Sequence, residues 1–199
     1  MKESPFFKQA DLLVQVMPFV NTEACFALKG GTAINFFVRD FSRLSVDIDL
    51  VYLPLEDRPT TLQGIDAALQ RIATKIRRAL PGAQVREQKL AKENLILKLT
   101  VRAAGGAEVK IEPNTVLRGS LHPTTDLNLS PKAGAMFGRS ATMRVVSLPD
   151  LYGGKLCAAL DRQHPRDLFD VHGLFQNEGI TDDIRRAFVI FLASHDRPM

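Results

Sequence analysis

Leu12, Leu13, Val16, Met17 and Val20 recur at helical spacing, so residues 9–20 are expected as a helix whose stripe enters the core. Residues 32–38, TAINFFV, read as a second, short helix after a pair of glycines, ended by the polar loop RDFSRLS. The period then changes. Residues 46–53, VDIDLVYL, alternate and are rich in β-branched side chains, which predicts a strand. Helical spacing returns over residues 60–80, with Ile65, Leu69, Ile72, Ile76 and Leu80 inward and a stop at Pro81-Gly82. Residues 94–102 and 107–116 again alternate. The stretch Ala103-Ala104-Gly105-Gly106 between them predicts a hairpin.

From residue 117 to 140 the chain is polar and contains prolines, without periodicity. Residues 117–146 are therefore expected as a segment connecting an α+β part, residues 1–116, to a helical part, residues 147–199. The helical part opens at Ser147, an N-cap candidate, with Pro149 in the first turn. A second helix follows from residue 165, with Leu168, Val171 and Phe175 as its apolar face, and a last one covers 182–194.

Composition narrows the class. The chain has 199 residues, 45% hydrophobic and 24% charged, which is ordinary for a globular protein with a real core. No apolar run approaches the roughly 20 residues that span a bilayer, so no membrane partner is expected. The first residues lack the apolar core of a signal peptide, and a cytoplasmic location is expected. Cys25 and Cys157 show no CxxC spacing and read as reduced core thiols. Net charge is +4, from 26 basic and 22 acidic residues. Part of the excess is local: Arg71, Lys75, Arg77, Arg78, Arg86 and Lys89 fall within one helix and its exit. They form either a solvated face or a phosphate-contacting surface for nucleic acid.

Candidate chemistry starts at Asp47 and Asp49, which stand in the middle of an apolar strand. Residues two apart share a face, so these carboxylates project together while Val46, Ile48 and Leu50 bury on the other side. Neighbouring carboxylates repel, and each tends to take up a proton unless a cation holds them. Mg²⁺ prefers carboxylate oxygens and leaves room for substrate phosphates. Gly30-Gly31-Thr32 precedes a helix, where glycines admit a ligand close to the backbone and helix N–H groups attract anions. Alone, it is equally a tight turn with Thr32 as cap, and the P-loop spacing is absent. Glu112 shares a strand face with Glu108 and Lys110, and it can join Asp47 and Asp49 if the two strands are neighbours. Alone, it is equally a surface glutamate.

The stretch LKGGTAINFFVRDFSRLSVDIDLVY resembles the GG[ST]…DxD signature of the DNA polymerase β-type nucleotidyltransferase superfamily. More narrowly it is similar to the AbiEii/AbiGii family, the toxin components of bacterial abortive-infection and type IV toxin–antitoxin pairs. DLYGGKLCAALDRQHPRDLFDV resembles that family's second block, a helix lysine followed by an R-D-x-x-D segment.

The resemblance implies an α+β fold, a small mixed sheet flanked by helices, followed by a helical C-terminal part. It implies that Gly30, Gly31 and Thr32 contact nucleotide phosphates and that Asp47 and Asp49 bind Mg²⁺, as two ions, with Glu112 as the third carboxylate. Lys155 matches the family's helix lysine, expected near the triphosphate. Asp167 and Asp170 match the acidic positions, three apart on nearly one helix face, and could orient Lys155 or the incoming hydroxyl. Arg166, His164 and His172 are expected in structural roles. Activity would be transfer of a nucleoside monophosphate from an NTP to RNA, with a tRNA 3′ end as the expected acceptor and a cognate antitoxin as partner. Family members commonly continue past a segment like HDRPM, so the helical part is expected to be truncated. Two alternatives stay open: a nucleotide-binding module that acts by sequestration, and a nucleotidyltransferase that modifies a small molecule or a protein.

Overall fold

Alternation and helical spacing resolve into elements in a computed structural model that describes residues 4–91 and 93–194. The chain divides into two compact units, residues 1–119 with 126–145, and residues 120–125 with 146–199. The segment HDRPM, on which the expected truncation rests, lies outside the described residues.

In the first unit, α1 (Pro5–Asn21) is capped by Ser4, whose hydroxyl accepts from Phe7 N–H, and it buries the expected stripe. Strand β1 (Phe26–Lys29) runs into α2 (Gly30–Ala33), which continues directly as a π-helical turn (Ile34–Val38). Strand β2 (Asp47–Tyr52) follows, then α3 (Arg58–Ala79), which buries Ile65, Leu69, Ile72 and Ile76. Next come β3 (Gln84–Lys89), β4 (Ile96–Arg102) and β5 (Glu108–Arg118). The β4–β5 hairpin turns at the predicted glycines, where Ala103 N–H donates to Ala107 O and Gly106 takes a φ of +84°.

The stretch 117–146 differs from its expectation as a connecting segment. It carries β6 (Thr125–Asn128), α4 (Pro131–Phe137) and β7 (Thr142–Val145). Its order comes from distant residues. Ser130 N–H donates to Phe36 O at 2.8 Å, Lys132 N–H donates to Asp40 at 2.8 Å, and Phe137 packs on Phe7, Phe36 and Phe41. Such contacts leave no periodicity in the stretch itself.

The sheet has seven strands in the order β3-β4-β5-β2-β1-β7-β6. β2 is antiparallel to β1 and parallel to β5. Edge strand β3 is almost wholly exposed and polar, and its backbone pairing to β4 makes it a strand without hydrophobic alternation. The core lies on the face carrying Leu28, Ile48, Leu50, Leu99, Val101 and Ile111, covered by α1 and α3.

The second unit packs α5 (Leu148–Arg162) against α6 (Pro165–Gln176) and α7 (Asp182–Ala193). Ser147 caps α5 as its position predicts, accepting from Asp150 N–H. At Gly153 a side chain would come within 2.8 Å of the α7 backbone, so this glycine lets the two helices touch.

Candidate functional site

Strand β2 is buried on both faces at its end, where Val51 and Tyr52 lie, but on one face only at its start. Ile48 and Leu50 enter the core, whereas Asp47 and Asp49 are half-exposed on the opposite face, as strand parity requires. The positive charge that such a pair needs comes partly from register. Lys29 stands opposite Asp49 on β1, and Lys110 stands opposite Asp47 on β5.

Parallel pairing with β5 also sets Glu112 directly beside Asp49, which meets the condition for a third carboxylate on this face. Glu112 is nevertheless engaged, in an ion pair with Lys98 of β4. No group of three or more His, Cys, Asp or Glu is placed to share a metal ion among the described residues. The donor set that faces outward is therefore the pair Asp47 and Asp49. Two carboxylates, with water and substrate phosphate completing the shell, match the way Mg²⁺ is commonly bound.

The glycine pair is built around side chains. Gly30 adopts φ +73°, and a Cβ there would lie 2.5 Å from Asp49 Oδ2, so the carboxylate rests against the backbone itself. At Gly31 a Cβ would lie 2.7 Å from Arg43 Nη2 and 3.1 Å from Ser45 Oγ. Arg43 was not singled out by sequence reasoning. The signal was an arginine inside a polar loop between the two motifs, and nothing local shows where it folds.

Thr32 is wholly buried, and its hydroxyl donates to Asp47 O at 2.6 Å and hydrogen-bonds Ser45 Oγ at 2.9 Å. The hydroxyl fastens α2 to the start of β2, which positions Asp47. Buried Asn35 donates from Nδ2 to Gly31 O at 2.9 Å and accepts from the Ser42 hydroxyl at 2.6 Å. Residues 31–47 are thus cross-tied by side chains that share no helical or strand period.

The basic run has internal partners. Glu23 is buried and accepts from Arg71 (2.7 Å) and Lys75 (3.1 Å). Burial alone would raise its pKa; the two cations outweigh that and hold it below the ordinary carboxylate value. Arg77 bonds Glu87 at 2.7 Å. Three of the six cations of the basic run therefore help to hold α3 in place.

In the second unit, Lys155, Asp167 and Asp170 come together. They are only 7%, 4% and 2% exposed. Lys155 Nζ lies 2.9 Å from Asp167 Oδ1 and 3.1 Å from Asp170 Oδ2, and Arg162 Nη2 lies 2.9 Å from Asp167 Oδ2. The spacing from Asp167 to Asp170 does what the helix period predicts, aiming both carboxylates at one ammonium. Desolvation pushes the Asp167 pKa up, but the Lys155 hydrogen bond and the Lys155 and Arg162 charges prevail, so the carboxyl sits below its ordinary value. A lysine held in this way ties α5 to α6. Its surroundings give no separate support for the expected triphosphate contact.

Sequence reasoning also passed over Asp150. It is buried and accepts from Leu121 N–H at 3.0 Å, with His122 Nδ1 at 3.0 Å on its other oxygen. It thereby holds residues 120–125 onto α5. His164 caps α6, accepting from Arg166 N–H, which fits the structural role expected of it.

A sequence profile of the AbiEii family, described as "Nucleotidyl transferase AbiEii toxin, Type IV TA system", matches residues 11–199. No curated protein matches the chain by sequence. Solved structures with a similar fold include MenT4, a nucleotidyltransferase toxin from Mycobacterium tuberculosis H37Rv, with TM-score 0.68 and 17% identity. That likeness covers 94% of this chain and 64% of the other, so this chain spans less than two thirds of the length of the structure it matches. At this identity the likeness is one of fold.

Proposed function

We propose that this chain, which belongs to the AbiEii family of nucleotidyl transferase toxins of type IV toxin–antitoxin systems, transfers a nucleoside monophosphate from an NTP to an RNA acceptor. The acceptor oxygen bonds the α-phosphorus, the bond from that phosphorus to the β-phosphate bridge breaks, pyrophosphate leaves, and the acceptor's proton passes to solvent. The observation that carries the reading is the placement of Asp47 and Asp49 on one open strand face, with Asp49 seated against the Gly30 backbone.

Asp47 and Asp49 would hold Mg²⁺, which when bound supplies charge neutralisation at the phosphates and a more acidic acceptor hydroxyl. Glu112 would join them through Oε2, since Lys98 holds Oε1. Gly30 and Gly31 let Asp49 and Arg43 lie directly against the backbone that would meet the phosphates, and Thr32 holds Asp47 from behind through its carbonyl. Lys155, Asp167 and Asp170 act as positioning residues that fix α5 against α6.

A tRNA 3′ end is the acceptor that this reading tests first, with a cognate antitoxin as partner and the cytoplasm as location. No described helix is long and apolar enough to cross a membrane. One observation favours a second reading, with a protein or small-molecule acceptor: Arg71, Lys75 and Arg77 are engaged by Glu23 and Glu87, which weakens the sequence argument for an RNA surface. The deciding experiment incubates the protein with each α-labelled NTP, Mg²⁺ and total RNA, with the Asp47→Asn variant as control. Label is expected in RNA with wild type alone. Label in protein or a small molecule selects the second acceptor class, and no transfer from any NTP overturns the reading.

A further inference from the structure

We infer that Arg43 is the residue that receives the substrate's polyphosphate, an inference that rests on the proposed nucleotidyl transfer. A magnesium-bound nucleoside triphosphate remains anionic, and a strand face presenting two carboxylates repels it unless a cation stands beside them. Lys29 and Lys110 stand beside them by register, and the Gly30–Gly31 step adds a guanidinium. Its first glycine has the Asp49 carboxylate against it and its second has the Arg43 guanidinium, at the distances a Cβ would make of 2.5 Å and 2.7 Å. Both charges thus lie one residue apart, each filling the space that a side chain would take on this stretch of backbone. Lys98, on the same side of the sheet, is taken by Glu112.

The loop that carries Arg43 is pinned on both sides. Phe41, at φ +52°, sets its ring edge-on to Phe36 with centroids 4.9 Å apart. Ser42 bonds Asn35, which bonds the Gly31 carbonyl, and Ser45 bonds Thr32. Arg43 Nη1 donates to the carbonyl of Leu44 at 3.0 Å, which orients the guanidinium plane. The fork of donors suits phosphate better than an ammonium does, because two parallel N–H groups meet two oxygens. Arg43 therefore grips the β- and γ-phosphates, while Asp47 and Asp49 serve the metal.

The test uses the whole chain, with inorganic tripolyphosphate, an NTP with Mg²⁺, and Mg²⁺ alone as titrants in calorimetry. Wild type should bind tripolyphosphate in competition with the NTP. Arg43→Gln should weaken both by about tenfold to a hundredfold, the loss of a charge-assisted bidentate contact. Arg43→Lys should fall between the two and serves as the readout if the glutamine variant does not fold. Mg²⁺ alone should bind Arg43→Gln as well as wild type or better, because a competing cation has left the carboxylates, and a merely structural role would not produce these opposite signs. Gly31→Ala should add little to Arg43→Gln, since its methyl acts by displacing the guanidinium. Wild-type affinity for tripolyphosphate in both Arg43 variants overturns the inference and leaves nucleotidyl transfer standing. If wild type binds neither tripolyphosphate nor any NTP, both fall together.

Discussion

Asp47 with Asp49, and Asp167 with Asp170, are two pairs of neighbouring carboxylates that the fold treats in opposite ways. The first pair is two apart on a strand, half-exposed, with lysines as register neighbours. The second is three apart on a helix, buried, with Lys155 and Arg162 already bonded to it. Carboxylates left toward solvent can take a metal from outside. Carboxylates enclosed with their own cation cannot exchange it without leaving a buried charge unpaired. Two acidic motifs in one chain are thus placed differently: the first is open to a ligand from outside, as the proposed function requires, and the second is closed on Lys155 between two helices.

The largest effect that would break this comparison is on Lys155. Its replacement by alanine leaves two buried carboxylates without their shared ammonium, so stability should fall by about 3–5 kcal/mol, read as a lowered urea midpoint. A loss below about 1 kcal/mol, the range of an exposed ion pair, would mean that the network is not closed in the sense argued here. Asp47→Asn and Asp49→Asn should show the reverse pattern. Nucleotide transfer should drop by about a hundredfold or more, as expected when a metal ligand is lost. The urea midpoint should stay level or rise, since one member of a repelling pair is gone. A marked fall in stability without loss of activity would make β2's carboxylates structural after all.

The smallest effect sharpens the comparison through pH. Asp167 is held below its ordinary pKa in the folded state. Its contribution is therefore fully present above the unfolded value of about 3.9 and is lost as pH falls through the lower folded value. Replacing Asp167 with Asn should flatten the acid limb of the stability profile below about pH 4, compared with wild type. An unchanged acid limb would show that Asp167 does not couple to Lys155 in this way.

Much of this was legible in the sequence, because parity and helical period are local. The alternation around Ile48 and Leu50 is enough to set Asp47 and Asp49 on one face, whatever surrounds the strand. The spacing from Asp167 to Asp170 is enough to aim both at one neighbour, and Gly105-Gly106 marks the hairpin without help from the rest of the chain. The motif blocks lie within such local stretches, which is why the family could be read from them.

What only tertiary structure decided is partnership between segments far apart in the chain. Sheet order placed β5 beside β2 and so brought Glu112 next to Asp49, and it also placed β4 so that Lys98 took Glu112. Glu23, far away in sequence, pairs with Arg71 and Lys75 of a basic run that the sequence left open between a solvated face and a surface for nucleic acid. The polar stretch 117–146 acquired two strands and a helix because Phe36 and Asp40 offered it bonds that no periodicity announces. Arg43 lies against Gly31 from a loop that Ser42 and Asn35 tie to the Gly31 carbonyl. A sequence prints the chemical character of each side chain and the face it occupies on its own element. Which opposite charge it meets depends on contacts closed across long loops, and those exist only once the chain has folded.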